Sequence, residues 1–170
     1  MPFKYLQYIS SESIGVLKQG GGKCMKKVLI SLLAVVLLVG GIYFVFSLKP
    51  PKPTITIENN TVEVAQGSYC WNRLFNVQCV DKIFPPDIIK DQKLKPVVVL
   101  PGAELKIEFN RKPLENTLSA SIWFNKNEME DVLLNNNVLL VPKEKGIYIY
   151  SVSAHWKKGS SSYDFVIEVK

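Results

Sequence analysis

Val28 to Leu48 (VLISLLAVVLLVGGIYFVFSL) runs for 21 residues without a charged side chain. Roughly 20 apolar residues in a helix span the roughly 30 Å hydrocarbon core of a bilayer. Such a helix also satisfies its own backbone hydrogen bonds there, which lipid cannot do for it. The run predicts one transmembrane helix, assigned with its charged start to residues 25–48, and divides the chain into a short head and a longer body. The net charge of +6 lies mostly ahead of it, where Lys4, Lys18, Lys23, Lys26 and Lys27 are opposed by Glu12 alone. From Lys49 onward 16 Lys and Arg face 14 Asp and Glu, so the body carries an excess of only 2. A surface for phosphates clusters its positive charge on the folded domain; no nucleic-acid partner is expected. Lys and Arg beside a membrane segment stay cytoplasmic, which puts the N-terminus inside and the body outside the cell membrane.

Residues 1–24 have no periodicity, a Gly20-Gly21-Gly22 run and a lone Cys24. They read either as a cytoplasmic stub or as translated leader ahead of a true start at Met25, because Met25-Lys26-Lys27 followed by an apolar stretch is how exported bacterial proteins often begin. A cleaved signal peptide carries an apolar region of about 7–15 residues, shorter than this one, and Val45-Phe46-Ser47 is a poor cleavage site. Leu38-Val39-Gly40-Gly41 has the form of a lipoprotein box with Gly41 where the acylated cysteine would stand. A retained signal anchor through residues 28–48 is the reading adopted. Lys49-Pro50-Pro51-Lys52-Pro53 then predicts an extended, semi-rigid stalk at 49–53.

From Thr54 to Lys170 the period is two. Ile55 and Ile57, then Val62 and Val64, alternate with polar residues on either side of Asn59-Asn60, a hairpin signature. Leu105, Ile107 and Phe109 form a half-buried strand. Leu118, Ala120, Ile122 and Phe124 form a second inward row, and Val138 to Val141 a short strand closed by Pro142. Tyr148, Tyr150, Val152, Ala154 and Trp156 share one face and Tyr163, Phe165, Ile167 and Val169 another, joined through Lys157 to Ser162, which predicts a closing hairpin. Pro96 to Leu100 is a further strand, Pro85 to Asp91 the one short helix, and Lys126 to Asn137 has no assignment. Short strands at turn-separated intervals predict an all-β body, one antiparallel β-sandwich of Ig-like layout over residues 54–170.

Outside the membrane Cys70 and Cys79 are expected to pair, pinning the arms of a hairpin whose tip lies near Asn72 to Asn76. A redox motif wants Cys-x-x-Cys and a zinc site more Cys and His than this body holds. The spacing is also too short for the inter-sheet bridge of an immunoglobulin domain. Trp71 is expected to be a core residue packing against the disulfide. His155, the sole histidine, falls opposite the apolar row of its strand and faces solvent; no Gly-x-Ser-x-Gly elbow offers it a nucleophile. Trp123 points away from Ile122 and Phe124, an outward aromatic suited to a ligand or partner contact or to cover by a loop. Asp81, Asp87 and Asp91 lack the density and glycine turn of an EF-hand, and Glu128, Glu130 and Asp131 read as a solvated face. No cofactor or metal is expected.

Gly67-Ser68-Tyr69-Cys70-Trp71, Cys79-Val80-Asp81, Pro101-Gly102-Ala103 and the closing Gly146-Ile147-Tyr148-Ile149-Tyr150 to Trp156 resemble uncharacterised exported proteins of Bacillus-type Firmicutes, small lipoproteins or membrane-anchored β domains. The resemblance covers most of residues 54–170. It implies a bacterial surface compartment and supplies no catalytic residue. The sequence thus leads to a non-catalytic binding or interaction module, with Trp123 and His155 as binding candidates and an envelope component or membrane protein as partner. The alternative is an extracytoplasmic hydrolase or metal-handling protein that gathers His155 with nearby carboxylates.

Overall fold

The computed structural model describes residues 21–58 and 60–170, with the backbone alone at 21–25, 43, 46 and 47. Residues 1–20 of the leader or stub, and Asn59 of the first turn, lie outside the described residues. The chain divides into two compact units, Met1–Phe46 and Ser47–Lys170.

In the first unit, α1 covers Gly21–Ser47. Its large apolar side chains, from Val28 to Val39 and again at Ile42 and Val45, are all exposed. The helix is therefore apolar on every face instead of along one stripe. Among the described residues no helix is long and apolar enough to cross a membrane; the side chains of α1 are described without a break only from Lys26 to Ile42.

The second unit is mostly β, with two sheets. The smaller has the order β2-β1-β6-β9, built from β1 (Pro53–Ile57), β2 (Asn60–Val62), β6 (Glu104–Phe109) and β9 (Val138–Leu140). The larger has the order β4-β3-β11-β10-β7-β8, from β3 (Ala65–Asn72), β4 (Val77–Val80), β7 (Ser119–Asn125), β8 (Glu128–Val132), β10 (Gly146–Trp156) and β11 (Gly159–Val169). The predicted inward rows meet between the sheets. Ile55, Ile57, Leu105, Ile107 and Leu139 of one sheet pack with Tyr150, Val152, Tyr163, Phe165 and Ile167 of the other in one apolar core. Each such side chain contributes about 1.5–3 kcal/mol by leaving water. Tyr150 and Phe165, partners across β10 and β11, stack with ring centroids 5.2 Å apart.

Several elements differ from expectation. The β10–β11 hairpin closes through Lys157-Lys158 alone, with Trp156 opposite Gly159. Gly159 has φ 143°, and a Cβ there would meet the Cys70 carbonyl, so only glycine lets β3 approach this closely. Val97–Val99 forms β5, which runs parallel to β11 at Ile167–Val169. The sheet is therefore mixed, not purely antiparallel. β3 accompanies β11 only as far as Asp164, and the chain returns to the vacated edge after a helical crossover, the connection that makes parallel neighbours. That helix is α2 (Pro85–Asp91), as predicted, with prolines in its first turn. Phe124 is 52% exposed, because the β7–β8 register shifts between Trp123 and Asn125 and breaks the alternation. The unassigned Lys126–Asn137 stretch supplies β8. Lys49–Pro53 does not stand clear as a stalk. Pro51 and Pro53 are buried, the Arg111 guanidinium donates to the Lys49 carbonyl, and the Tyr163 hydroxyl donates to the Pro51 carbonyl at 2.7 Å.

The disulfide joins Cys70 to Cys79, directly opposite one another in β3 and β4. Trp71 is core, as expected, but on the side of the strand opposite the bridge. Neighbours in a strand face opposite sides, so Cys70 is exposed while Trp71, 1% exposed, turns inward against Ala154 and Trp156.

Candidate functional site

The outer face of the larger sheet, away from the core, is polar where β7, β10 and β11 run side by side. Ser121 faces Ser151, and Ser151 faces Asp164, along one rung of the ladder. Alternation puts Ser162 and Asp164 on this side because Tyr163 and Phe165 occupy the core side. At Gly67-Ser68 the β3–β11 register slips by one residue, leaving two residues of β3 beside Ser162. The slip re-aims the local side chains: the Ser162 hydroxyl donates to the Ser68 carbonyl at 3.2 Å. Gly67 makes room for the pair, since a Cβ there would lie 2.9 Å from Asp164 Oδ2 and closer still to the Ser162 hydroxyl.

A roof covers this face. After β4 the chain crosses it through Asp81–Phe84 and α2, whose buried Pro85, Ile88 and Ile89 pack down onto β3, β7, β10 and β11. The Lys82 amide donates to the Ser68 hydroxyl at 2.9 Å and tacks the crossing segment to β3. Asp87 in the first turn of α2 pairs with Lys126 of the β7–β8 turn at 2.8 Å, a position where a carboxylate also suits the helix N-terminus. The Phe84 ring lies between the Trp123 ring, 6.0 Å away, and the Lys126 ammonium, 6.0 Å from its centroid.

Beneath the roof lies a cavity of about 230 Å³. Ser68, Ser151, Ser162 and Asp164 form its polar end, Phe84, Ile88 and Trp123 an apolar one, and Lys82 also borders it. Asp164 is 1% exposed; no donor meets either carboxylate oxygen in regular hydrogen-bond geometry, and the Ser151 hydroxyl is the one group that bears on it as a hydrogen-bond donor. Burial pushes its carboxyl up to about 6; Ser151 alone pulls the other way. Charged groups do not relieve it: Lys126 and Asp87 are engaged with each other, and Lys82 makes no ion pair among the described residues. A buried, unpaired carboxylate costs several kcal/mol unless protonated or partnered, so this atom pair is the most anomalous polar feature of the fold.

Of the two residues predicted from the sequence, Trp123 lines this cavity. It points outward as alternation requires, its indole N–H donating to Ser121 at 3.1 Å, and Phe84 of the crossing loop covers part of it. His155 is exposed on the same sheet face, opposite Ser160. It sits four rungs along β10 from Ser151, the partner of Asp164, a separation of about 13 Å. Six residues separate it from Ile149, the partner of Trp123, or about 20 Å. The structure does not bring Trp123 and His155 together. Among the described residues no three His, Cys, Asp or Glu side chains gather as metal ligands.

No family model, curated protein or solved structure matches this chain. The cavity therefore stands on its own chemistry.

Asp164, the three serines and Phe84 were not singled out by the sequence. One signal was legible: in Tyr163-Asp164-Phe165-Val166-Ile167, Val166 breaks the polar alternation. An apolar residue on the outer side marks a strand covered on both faces, which buries the neighbouring Asp164 too.

A second cavity, about 480 Å³, opens at the end of the sandwich beside the β10–β11 turn. The Arg111 guanidinium lies 5.4 Å from the centroid of the Trp71 ring, its carbonyl accepts the Trp156 indole N–H at 2.8 Å, and Lys112 and Lys157 stand at the rim. Because Arg111 also holds Lys49, these contacts serve first to fasten the start of the domain.

Proposed function

We propose that this protein is a membrane-anchored, extracytoplasmic binding module of a Gram-positive-type bacterium, an immunoglobulin-like sandwich that contacts an envelope component or a partner membrane protein without catalysing a reaction. The anchor is argued from the uncharged run Val28–Leu48 and from the helix over Gly21–Ser47 with apolar side chains on every side. The orientation follows from the lysines that precede it. Oxidation of Cys70 and Cys79 accords with an exported compartment.

The observation that carries the binding reading is the roofed cavity, with a buried unpartnered carboxylate at one end and Trp123 in its wall. Concave, mostly apolar sites with a few converging polar groups are where ligands bind. Hydrolysis through His155 draws no support from this geometry, since a general base must lie within hydrogen-bonding reach of its partner and His155 is about 13 Å along the strand from the buried acid.

Retention of the full chain on envelope fragments of the producing cells tests this reading. Trp123→Ala is expected to lower retention at least fivefold with the melting temperature of the sandwich little changed. Retention of Trp123→Ala and of a Phe84→Ala, Trp123→Ala double variant at the level of wild type overturns it. For the anchor, alkaline carbonate should leave the chain in the membrane fraction, and release into the supernatant overturns that part.

A further inference from the structure

Resting on the binding reading above, we infer that the roofed cavity is a receptor for a primary ammonium group on a short methylene stem, with Asp164 as its counter-ion. Three observations converge. The first is the under-satisfied acid itself: Asp164, 1% exposed, lines the cavity, and neither of its carboxylate oxygens meets a donor in regular hydrogen-bond geometry, the Ser151 hydroxyl alone lying near enough to favour its charge. Buried polar groups in folded proteins are nearly always satisfied, so a pair of unmet acceptors in the wall of a cavity points to a donor from outside the chain.

The second is the division of the cavity wall. Ser68, Ser151 and Ser162 line the cavity together with the acid, while Phe84, Ile88 and Trp123 give it apolar wall. An ammonium group has three N–H donors and no acceptor; one carboxylate and two hydroxyl oxygens meet that demand, and the apolar part suits methylenes. A hard divalent cation would want 6–8 oxygen ligands with several carboxylates, and no such cluster is found among the described residues.

The third is the aromatic wall. Trp123 and Phe84 lie 6.0 Å apart at an interplanar angle of 50°, and Lys126 already rests its ammonium on Phe84, showing that this ring takes a cation. Trp is the strongest partner for such contacts. Gly67 belongs to the same design, because any side chain there would press on Ser162 and Asp164.

The charged groups around the acid are few. The crossing segment contributes Lys82, α2 contributes Asp87, and the β7–β8 turn contributes Lys126, which is paired with Asp87. Among the described residues Lys82 is the one cationic side chain that lines the cavity and could compete for the acid. Acidification removes the counter-ion: with its carboxyl near 6, Asp164 is about one-tenth ionised at pH 5, so affinity there should be about tenfold lower than at pH 7.5.

The experiment is a titration of the full chain in detergent with n-butylammonium chloride, followed by the indole N–H resonances of its 3 tryptophans and with tetramethylammonium chloride as the ionic-strength control. One indole signal, assigned to Trp123 by its loss in Trp123→Leu, should shift saturably with n-butylammonium and not with the control. Asp164→Asn should weaken binding at least about tenfold. Trp123→Leu, followed through the backbone amide signals of Ser151 and Ser162, should weaken it about fivefold. Lys82→Met should strengthen it or leave it unchanged. Nα-acetyl-lysine methylamide separates the two sources of such a group: equal binding points to a lysine side chain as the natural ligand, and exclusion of this probe alone points to a free amine. No saturable shift with either probe, equal response to tetramethylammonium, or unchanged affinity in Asp164→Asn overturns the inference. If that happens while Trp123→Ala still abolishes envelope retention, the cation assignment fails alone; if retention is also unaffected, the binding reading fails with it.

Discussion

Replacing Asp164 by Asn should change how the stability of the sandwich depends on pH. The carboxyl is pushed from its ordinary 3.8 to about 6 by burial, with only Ser151 opposing. Between these values the folded chain holds a proton that the unfolded chain has released, so stability falls as pH rises through this window. Well below 3.8 both states are protonated and well above 6 both are ionised, so the slope vanishes beyond either end. At 1.36 kcal/mol per unit, the shift of about 2 units costs the folded state about 3 kcal/mol in full, of which about 2 kcal/mol develops between pH 4 and pH 7. Because Asp164 is 1% exposed, solvent screening does not dilute this. Asn has the same shape and no titration, so its own desolvation adds an offset that does not vary with pH.

The assay is urea unfolding of both proteins, as the full chain in detergent, at pH 4, 5, 6 and 7, read by tryptophan fluorescence. All 3 tryptophans, Trp71, Trp123 and Trp156, lie in the sandwich, so the signal reports that unit. Taking the difference between the two proteins at each pH cancels every contribution they share. The Asn variant should gain about 2 kcal/mol on wild type between pH 4 and pH 7. A difference that stays constant across the range, or shrinks with rising pH, refutes the claim that Asp164 is buried without a partner.

Three further outcomes follow from the packing. Cys70→Ala with Cys79→Ala should lower stability by about 2.5–3 kcal/mol, the loop-closure value for so short a ring, and should keep the fold because the bridge lies at an exposed edge; near-UV circular dichroism and urea midpoints check both. Tyr150→Phe should be neutral or stabilising by about 1 kcal/mol in a thermal melt, since the buried Tyr150 hydroxyl has no partner and burial drives its ionisation far above the usual phenol range. Gly67→Ala should cost about 1–3 kcal/mol through overpacking against Ser162 and Asp164, and should also close the cavity to n-butylammonium.

Alternation by itself determined most of the sandwich. A strand has a period of two whatever surrounds it, so Ile55, Ile57, Leu105, Ile107, Tyr150, Val152, Phe165 and Ile167 could be assigned to one interior before any contact was known. Local chemistry likewise marked α2 through its prolines and the Cys70–Cys79 bridge through its spacing. Tertiary structure alone decided the rest, because those features depend on what comes to lie across a face and not on the face itself. The parallel β5 depends on β3 leaving the edge of β11. Phe124 turns outward because of a register shift in β7–β8. Trp123 could be placed outward from its neighbours, but only the path of Asp81–Phe84 over the sheet turned an exposed aromatic into the wall of a cavity. Asp164 shows the difference most sharply. Its strand position was readable as outward, and an outward aspartate is ordinarily solvated; the helix that arrives from some 75 residues earlier in the chain removes the water and leaves the charge without a partner.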